Sequence, residues 1–278
     1  MTAVWRLLIH PGGSPSWNMA VDEALLRCRA DSGEDALPVL RFYSWNPPAL
    51  SLGYFQRKDG IDWQALERMG IQPVRRITGG RAVLHWEDFT YSVVAEAGKD
   101  TPLELKSSYL YLCRGLLEAF SSLGIEAGLG SEERGLGRQA SCFAVAAPSD
   151  ITWQGKKFVG SAQTRMGAFL LQHGSILLRP QGEILQQIFL GRPQKGRVRE
   201  NAAIEAESGS GGFWDKSFSG AVVSIEEILG RALGFEAVAE AVRQGFERAL
   251  GIKLVEDDLS PAEKRLASEL ESKYVFGG

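Results

Sequence analysis

Cysteine, histidine and long apolar runs are all scarce in this chain of 278 residues. The three cysteines, Cys28, Cys113 and Cys142, stand far apart with no CxxC spacing, which speaks against a disulfide framework and against a zinc site. The three histidines, His10, His85 and His173, share no ligand spacing, so no metal is expected. No apolar run approaches the roughly 18 residues of a membrane span. The first twenty residues have no long apolar stretch of the export type, so a reducing cytoplasm is the expected compartment. Basic charge is not in excess either: the formal net charge is −3, without the basic footprint of a nucleic-acid binder. What is present is ordinary globular composition, 44% hydrophobic and 23% charged, at a length that suits one large domain with a small addition.

Local patterning supplies an irregular mixture of strands and helices. "VWRLLIH" reads as an opening strand and "WNMAVDEALLRCRA" as an amphipathic helix with Asn18 as its N-cap. "PVLRFYSW" and "IQPVRRI" are β-rich, "DWQALERMG" is a short helix ending at Gly70, and the alternation of "FTYSVVAEA" marks a clear strand. In "LKSSYLYLCRGLLEAFSSLG" the residues Tyr109, Leu112, Cys113, Leu116 and Phe120 form one helical stripe, with a stop at Gly124. "DITWQGKKFVG" and "GAFLLQHGSILL" look like hairpin strands with glycine turns. Without a βαβ rhythm, the pattern predicts an α+β fold around a mixed, largely antiparallel sheet with flanking helices. Residues 1–190 would form the catalytic body and the Gly/Ser-rich run 191–220 a flexible connection. Residues 221–278 would then be a C-terminal helical appendage, with Ser224 and Ser260 as N-caps. No internal repeat is visible.

Three stretches could carry chemistry. In "ASCFAVAAPSDITWQGKKFVGSAQTR" (Ala140 to Arg165) Cys142 belongs to no helical stripe, whereas Cys28 and Cys113 do and read as small core fillers. Cys142 follows a glycine-rich run carrying Arg134 and Arg138, where positive charge would favour a thiolate; on this ground alone it is either a filler or a nucleophile. Lys157 is either a solvated lysine after a glycine turn or, turned inward, an ammonium able to hold a carbonyl or assist proton transfer. The second stretch, "RRITGGRAVLHWEDFTYS", places Gly79 and Gly80 between Arg76 and Arg81, so that backbone can approach a ligand while guanidinium groups favour an anion or carbonyl. His85 is a base or a structural histidine there. The third stretch sets Gly160, Ser161 and Ala162 in one strand, and His173 and Gly174 in the next, as small surfaces along which a chain or cofactor could lie.

Taken together, "NMAVDEALL", "LRFYSWNPPALSLGYFQ", "RRITGGRAVLHWEDFTYSVV", "GKKFVGSAQTR" and "LQHGSILL" resemble the lipoate–protein ligase and octanoyltransferase family of the biotin/lipoate ligase superfamily. Five ordered motifs across most of the chain carry the resemblance. Arg81, where ATP-using ligases commonly carry glycine, and the "SCF" around Cys142 are similar to the LipM-type octanoyltransferases. That resemblance implies a biotin/lipoate ligase fold, Cys142 as the acyl-accepting nucleophile, and Lys157, three positions before Gly160, as its lysine partner. It further implies substrate-binding roles for Arg76, Gly79, Gly80, Arg81, His85, Gly160, Ser161, Ala162, His173 and Gly174.

The implied activity is transfer of octanoate from octanoyl-acyl carrier protein, through a cysteine thioester, to a lysine of a lipoyl domain, with the glycine-cleavage H protein as acceptor. No cofactor is implied, since the carrier thioester is already activated, and a monomer is expected. Alternatives are an octanoyl amidotransferase between lipoyl domains, an ATP-dependent lipoate–protein ligase, and a non-catalytic lipoyl-domain binder.

Overall fold

A computed structural model describes residues 2–32, 36–130, 150–189 and 222–276. The expected nucleophile Cys142 lies outside the described residues, as does the expected connection 191–220.

The first strand, β1 (Ala3–Gly13), leads into the helix α1 (Pro15–Asp31). The cap of α1 is Ser14, whose hydroxyl accepts from the Trp17 N–H, and Pro15 opens the first turn. The expected cap, Asn18, is instead a fully buried helical residue. Proline is favourable at the first helical position, where its missing N–H has no intrahelical partner anyway, and this sets the start four residues earlier than Asn18. The next strand, β2 (Val39–Trp45), runs parallel to β1, so β1–α1–β2 is a βαβ unit that the sequence pattern did not disclose.

Two sheets follow. The smaller is made of β3 (Ala49–Leu52), β4 (Gln72–Arg75) and β5 (Val83–His85), in the order β4-β3-β5. The short helix α2 (Trp63–Arg68) lies between β3 and β4 and, as expected, stops before Gly70, which has φ +66°. In the larger sheet β6 (Asp88–Glu96) and β10 (Phe169–Leu177) form the antiparallel centre. Beyond them come β9 (Lys156–Met166), β8 (Ile151–Trp153) and β7 (Gly128–Leu129), all antiparallel. The predicted hairpins are therefore present, turning at Gly155 and Gly167 with positive φ.

The helix α3 (Leu105–Ser122) buries its expected stripe, Leu112, Cys113, Leu116 and Phe120, against the large sheet. Burial pushes the Cys113 thiol up to about 12, a filler with no thiolate at neutral pH. Cys28, on α1, is half-buried. The short helix α4 (Gly182–Ile188) packs beside α2 under the small sheet.

The helices expected beyond residue 221 are α5 (Ile225–Leu229), α6 (Phe235–Leu250) and α7 (Pro261–Tyr274). Ser224 and Ser260 cap α5 and α7, each in a reciprocal bond pattern with the glutamate three residues on. Between α6 and α7 runs β11 (Ile252–Glu256), which pairs in parallel with β1 and completes the order β11-β1-β2-β6-β10-β9-β8-β7.

Residues 222–276 are thus built into the body. Gly115 of α3 and Gly245 of α6 let those helices touch: a Cβ on Gly245 would lie 2.4 Å from the Gly115 carbonyl oxygen. α7 packs along α1, where Lys273 and Tyr274 both bond the buried carboxylate of Glu23. Among the described residues no helix is long and apolar enough to cross a membrane.

Candidate active site

A narrow cleft opens where the small sheet meets the centre of the large one. Seven of the expected substrate-binding residues line it: Arg76, His85, Gly160, Ser161, Ala162, His173 and Gly174. β9 and β10 pair with Ala162 opposite His173 and Gly160 opposite Ser175, and positions more than eighty apart converge because β10 also pairs with β6, Ser175 opposite Thr90. β3 and β5 bring Ser51 and His85 in from the other side. Gly174 must lack a side chain, since a Cβ there would stand 2.4 Å from the Ser161 hydroxyl.

The polar groups around the cleft form two parallel relays joined at Arg76. In the first, Asp22 on α1 is buried and accepts from Arg41 Nη1 at 2.8 Å, from Ser92 at 2.8 Å and from Tyr43 at 2.9 Å. It also meets His173 Nδ1 at 3.0 Å. Burial would raise the Asp22 carboxyl, but the His173 bond and the Arg41 guanidinium outweigh it and hold the group below its ordinary value. Burial likewise pushes His173 down, against the pull of Asp22. A carboxylate only accepts, so the ring proton sits on Nδ1 and Nε2 accepts from the Thr78 hydroxyl at 2.7 Å. Thr78 in turn accepts from Arg76 Nε at 3.1 Å.

The second relay repeats the pattern. Asp88 meets His85 Nδ1 at 2.8 Å and also accepts from Ser175 at 2.5 Å and Thr90 at 3.1 Å. His85 Nε2 is 2.8 Å from the Ser51 hydroxyl, to which Arg76 Nη1 donates at 3.3 Å. The Trp45 indole stacks on His85 with centroids 4.0 Å apart and anchors its own N–H on Thr90.

Arg76 has one further task. Its Nη2 donates to the carbonyls of Gly79 and Arg81, both at 2.8 Å, and so clamps the glycine loop to β3. On the loop's other side, Gly53 admits the Gly80 carbonyl so closely that a Cβ would be 1.9 Å from its oxygen. Gly80 has φ +98°, which favours glycine. Gly79 differs: a Cβ there would meet nothing within 4 Å, so packing within the chain does not require its bareness. Gly79, Gly80 and Arg81 border the cleft through Arg76 and do not line it.

Lys157 is the expected residue whose environment departs most from the solvated alternative. It is 1% exposed, forms an ion pair with Asp150 Oδ2 at 2.8 Å, and does not line the cleft. Asp150 is the first described residue after the segment that contains Cys142. A buried pair of this kind is costly to desolvate and is retained where geometry repays it.

Sequence reasoning missed Asp22, Arg41, Tyr43, Ser51, Thr78, Asp88 and Ser175. The available signal was a charged residue inside an otherwise buried pattern: Asp22 between Val21 and Ala24, and Asp88 at the head of the alternating strand β6. Among the described residues no cluster of histidine, cysteine and carboxylates is arranged to hold a metal ion.

The model of the lipoyl protein ligase A/B catalytic domain matches residues 14–247, which include every described lining residue of the cleft. The chain belongs to the lipoyl protein ligase A/B family. Within this family it is 39% identical to octanoyltransferase LipM of Kyrpidia tusciae, the match covering 98% of this chain and 96% of that protein. It is 38% identical to octanoyltransferase LipM of Moorella thermoacetica over 98% and 95% of the two chains. For octanoyltransferase LipM of Bacillus subtilis the identity is 36%, again over 98% and 95%. Two solved structures share the fold. A bipartite lipoate protein ligase of Thermoplasma acidophilum superposes with a TM-score of 0.76 at 24% identity, covering 98% of this chain and 93% of that one. A lipoate-protein ligase A bound with ATP superposes with a TM-score of 0.74 at 24% identity, over 98% and 95%. The expected lipoate-ligase fold is thereby established for this member of the family.

Proposed function

We propose that this protein moves an octanoyl group from octanoyl-acyl carrier protein to the lysine of a lipoyl domain, the glycine-cleavage H protein being the acceptor, through a thioester on Cys142. The chain is an octanoyltransferase of lipoate biosynthesis, and the observation that carries this is its near-full-length identity to proteins of that activity. Donor, acceptor and residue roles are our reading, supported by the chemistry of the cleft.

In the first step Cys142 gives up its proton and the thiolate attacks the donor's thioester carbonyl; the carrier's thiolate departs, takes up that proton, and an acyl-cysteine remains. In the second, the neutral ε-amine of the acceptor lysine attacks that acyl group. The thiol is released, the amine loses a proton, and an amide is formed. Neither step needs ATP, because exchange between thioesters is nearly balanced and aminolysis of a thioester runs downhill.

Lys157 is ion-paired with Asp150 and does not line the cleft, so in this reading it turns from that pair to bring its charge to the acyl carbonyl. Amides of the Gly160–Ala162 strand, which lines the cleft, stabilise the oxyanion in both steps. His85 and His173 line the slot with protons held in place by their relays. The acyl chain lies along the bare Gly160 and Gly174 surface toward Met19 and Val83, gaining about 0.8 kcal/mol for each methylene buried.

The test is incubation with octanoyl-carrier and mass detection of a hydroxylamine-labile octanoyl adduct on Cys142. If Cys142→Ala transfers octanoate as fast as the wild type, the covalent route is wrong. Transfer of free lipoate that depends on ATP would favour the ligase reading instead.

A further inference from the structure

Immediately after β3 the chain makes a tight loop, Gly53 to Asp59, that displays two aromatic rings. Phe55 is 87% exposed and Tyr54 52% exposed, and their rings meet edge to face at 4.7 Å. Single exposed apolar residues are common, but this loop is not a loose one. Arg75 Nη1 crosses its base and donates to three of its carbonyls, Gly53 at 2.6 Å, Gln56 at 2.8 Å and Tyr54 at 3.1 Å. The Tyr54 N–H bonds the Thr78 carbonyl at 2.9 Å, and Gly53 abuts Gly80. The loop is therefore pinned to the glycine segment that borders the cleft through Arg76, and its aromatic tip is presented in one fixed place.

Cations outnumber carboxylates around this tip. Arg57, Lys58, Arg75 and Arg81 stand against the single carboxylate of Asp59, although the chain as a whole is −3. The Arg57 side chain is 89% exposed, and its loose pair with Asp59 at 3.6 Å leaves the guanidinium open to solvent. A rigid exposed aromatic with an exposed arginine two residues on has the composition of an interface anchor, and its pinning removes the ordering cost that a flexible loop would incur on binding.

We propose that the 53–59 tip is the docking surface for the acyl-carrier donor, with Phe55 as its apolar anchor and the surrounding cations receiving an acidic partner. This rests on the octanoyl-transfer reading above. Charge selects between the two protein substrates. The donor carries its acyl group on an arm with an obligatory anionic phosphodiester, which this rim attracts. The acceptor presents a lysine, which the rim disfavours.

Binding and chemistry can be measured separately. Fluorescence anisotropy with labelled octanoyl-carrier would compare wild type, Phe55→Ser and Arg57→Glu, and transfer would be assayed in parallel from octanoyl-carrier and from octanoyl-pantetheine, which has no protein part. Because both side chains are almost wholly exposed, neither change threatens folding. Each variant is expected to weaken carrier binding about tenfold or more, the wild-type affinity falling with added salt, while transfer from octanoyl-pantetheine stays within about twofold. Carrier binding unchanged in both variants, no carrier binding by the wild type, or equal losses with both donors would overturn the proposal. So would a loss confined to the lipoyl-domain acceptor. If the wild type binds the carrier, the variants do not, and no octanoyl adduct forms with either donor, the docking surface stands and the transfer reading fails.

Discussion

On β6, Asp88, Thr90 and Ser92 point toward α1 and the cleft and are knit into hydrogen bonds, whereas Phe89, Tyr91 and Val93 enter the core beneath α3 and α6. β10 divides in the same way, with His173 and Ser175 on the cleft side and Leu170 and Ile176 in the core. Both faces are equally buried, so exposure does not distinguish them. The difference lies in how burial is made tolerable. One face excludes water with hydrocarbon, and the other must satisfy every polar atom internally, because an unpaired buried donor or acceptor is costly. A two-residue period lets one strand serve both needs.

Removing one charge from the polar face is the most damaging way to break this balance. Asp22→Ala strands the buried Arg41 guanidinium, and the expected loss is about 3–5 kcal/mol in urea unfolding. A loss below about 1 kcal/mol would mean that the network is not fully desolvated. On the apolar side, Gly245→Val drives a branched side chain into α3 at Gly115 and Ala119, for an expected cost of about 1–3 kcal/mol or somewhat more. The folded fraction should keep its kcat/KM, since α6 does not touch the cleft. Reduced turnover of the folded fraction would show that the two faces are mechanically coupled.

Arg76→Lys tests the reverse dissociation. Lysine keeps the charge but cannot reproduce the planar five-donor fork that joins both relays to the glycine loop. The expected result is a fall of about 10- to 100-fold in transfer kcat/KM with a smaller change in stability than Asp22→Ala produces. Unchanged kinetics would mean that the loop holds its shape without the clamp.

Acidification should produce the smallest and most graded effect. Burial and the Arg41 guanidinium hold His10 down at about 4, and burial lowers His173. As pH falls below about 6.5 the unfolded chain takes up protons on these rings before the folded chain does, so stability is lost between about 6.5 and 4. Asp22, held low in the fold, adds its own loss only below about 4. Urea midpoints at pH 7, 5.5 and 4.5 should decline, and the decline should be shallower in His10→Gln. An identical pH dependence in that variant would remove His10 from the account.

Much of the local structure was legible because it is governed by neighbours in the chain. The stripe of α3, the serine caps of α5 and α7, the β9–β10 hairpin and the stop at Gly70 all follow from short-range sterics and periodicity. The N-terminus of α1 was misplaced because Asn18 resembles a cap, while its side chain is committed to Arg41 and to the carbonyls of Gly13 and Ser44. β11 was overlooked because five residues between two helices acquire a strand's identity only by pairing with β1, more than two hundred positions away.

Motif residues of the site were likewise readable, and seven of them do meet in one cleft. The residues that orient them were not, because Asp22 and Asp88 are ordinary acids until the fold sets a histidine against each. By itself the sequence determined most segments, the serine caps of α5 and α7 and the family motifs, since these depend on residues close together along the chain. The tertiary structure alone decided the two relays meeting at Arg76, the burial of Lys157 on Asp150 and the pinning of the aromatic tip. Each of these depends on which polar groups end beside one another once water is gone, and sheet register and helix packing settle that pairing.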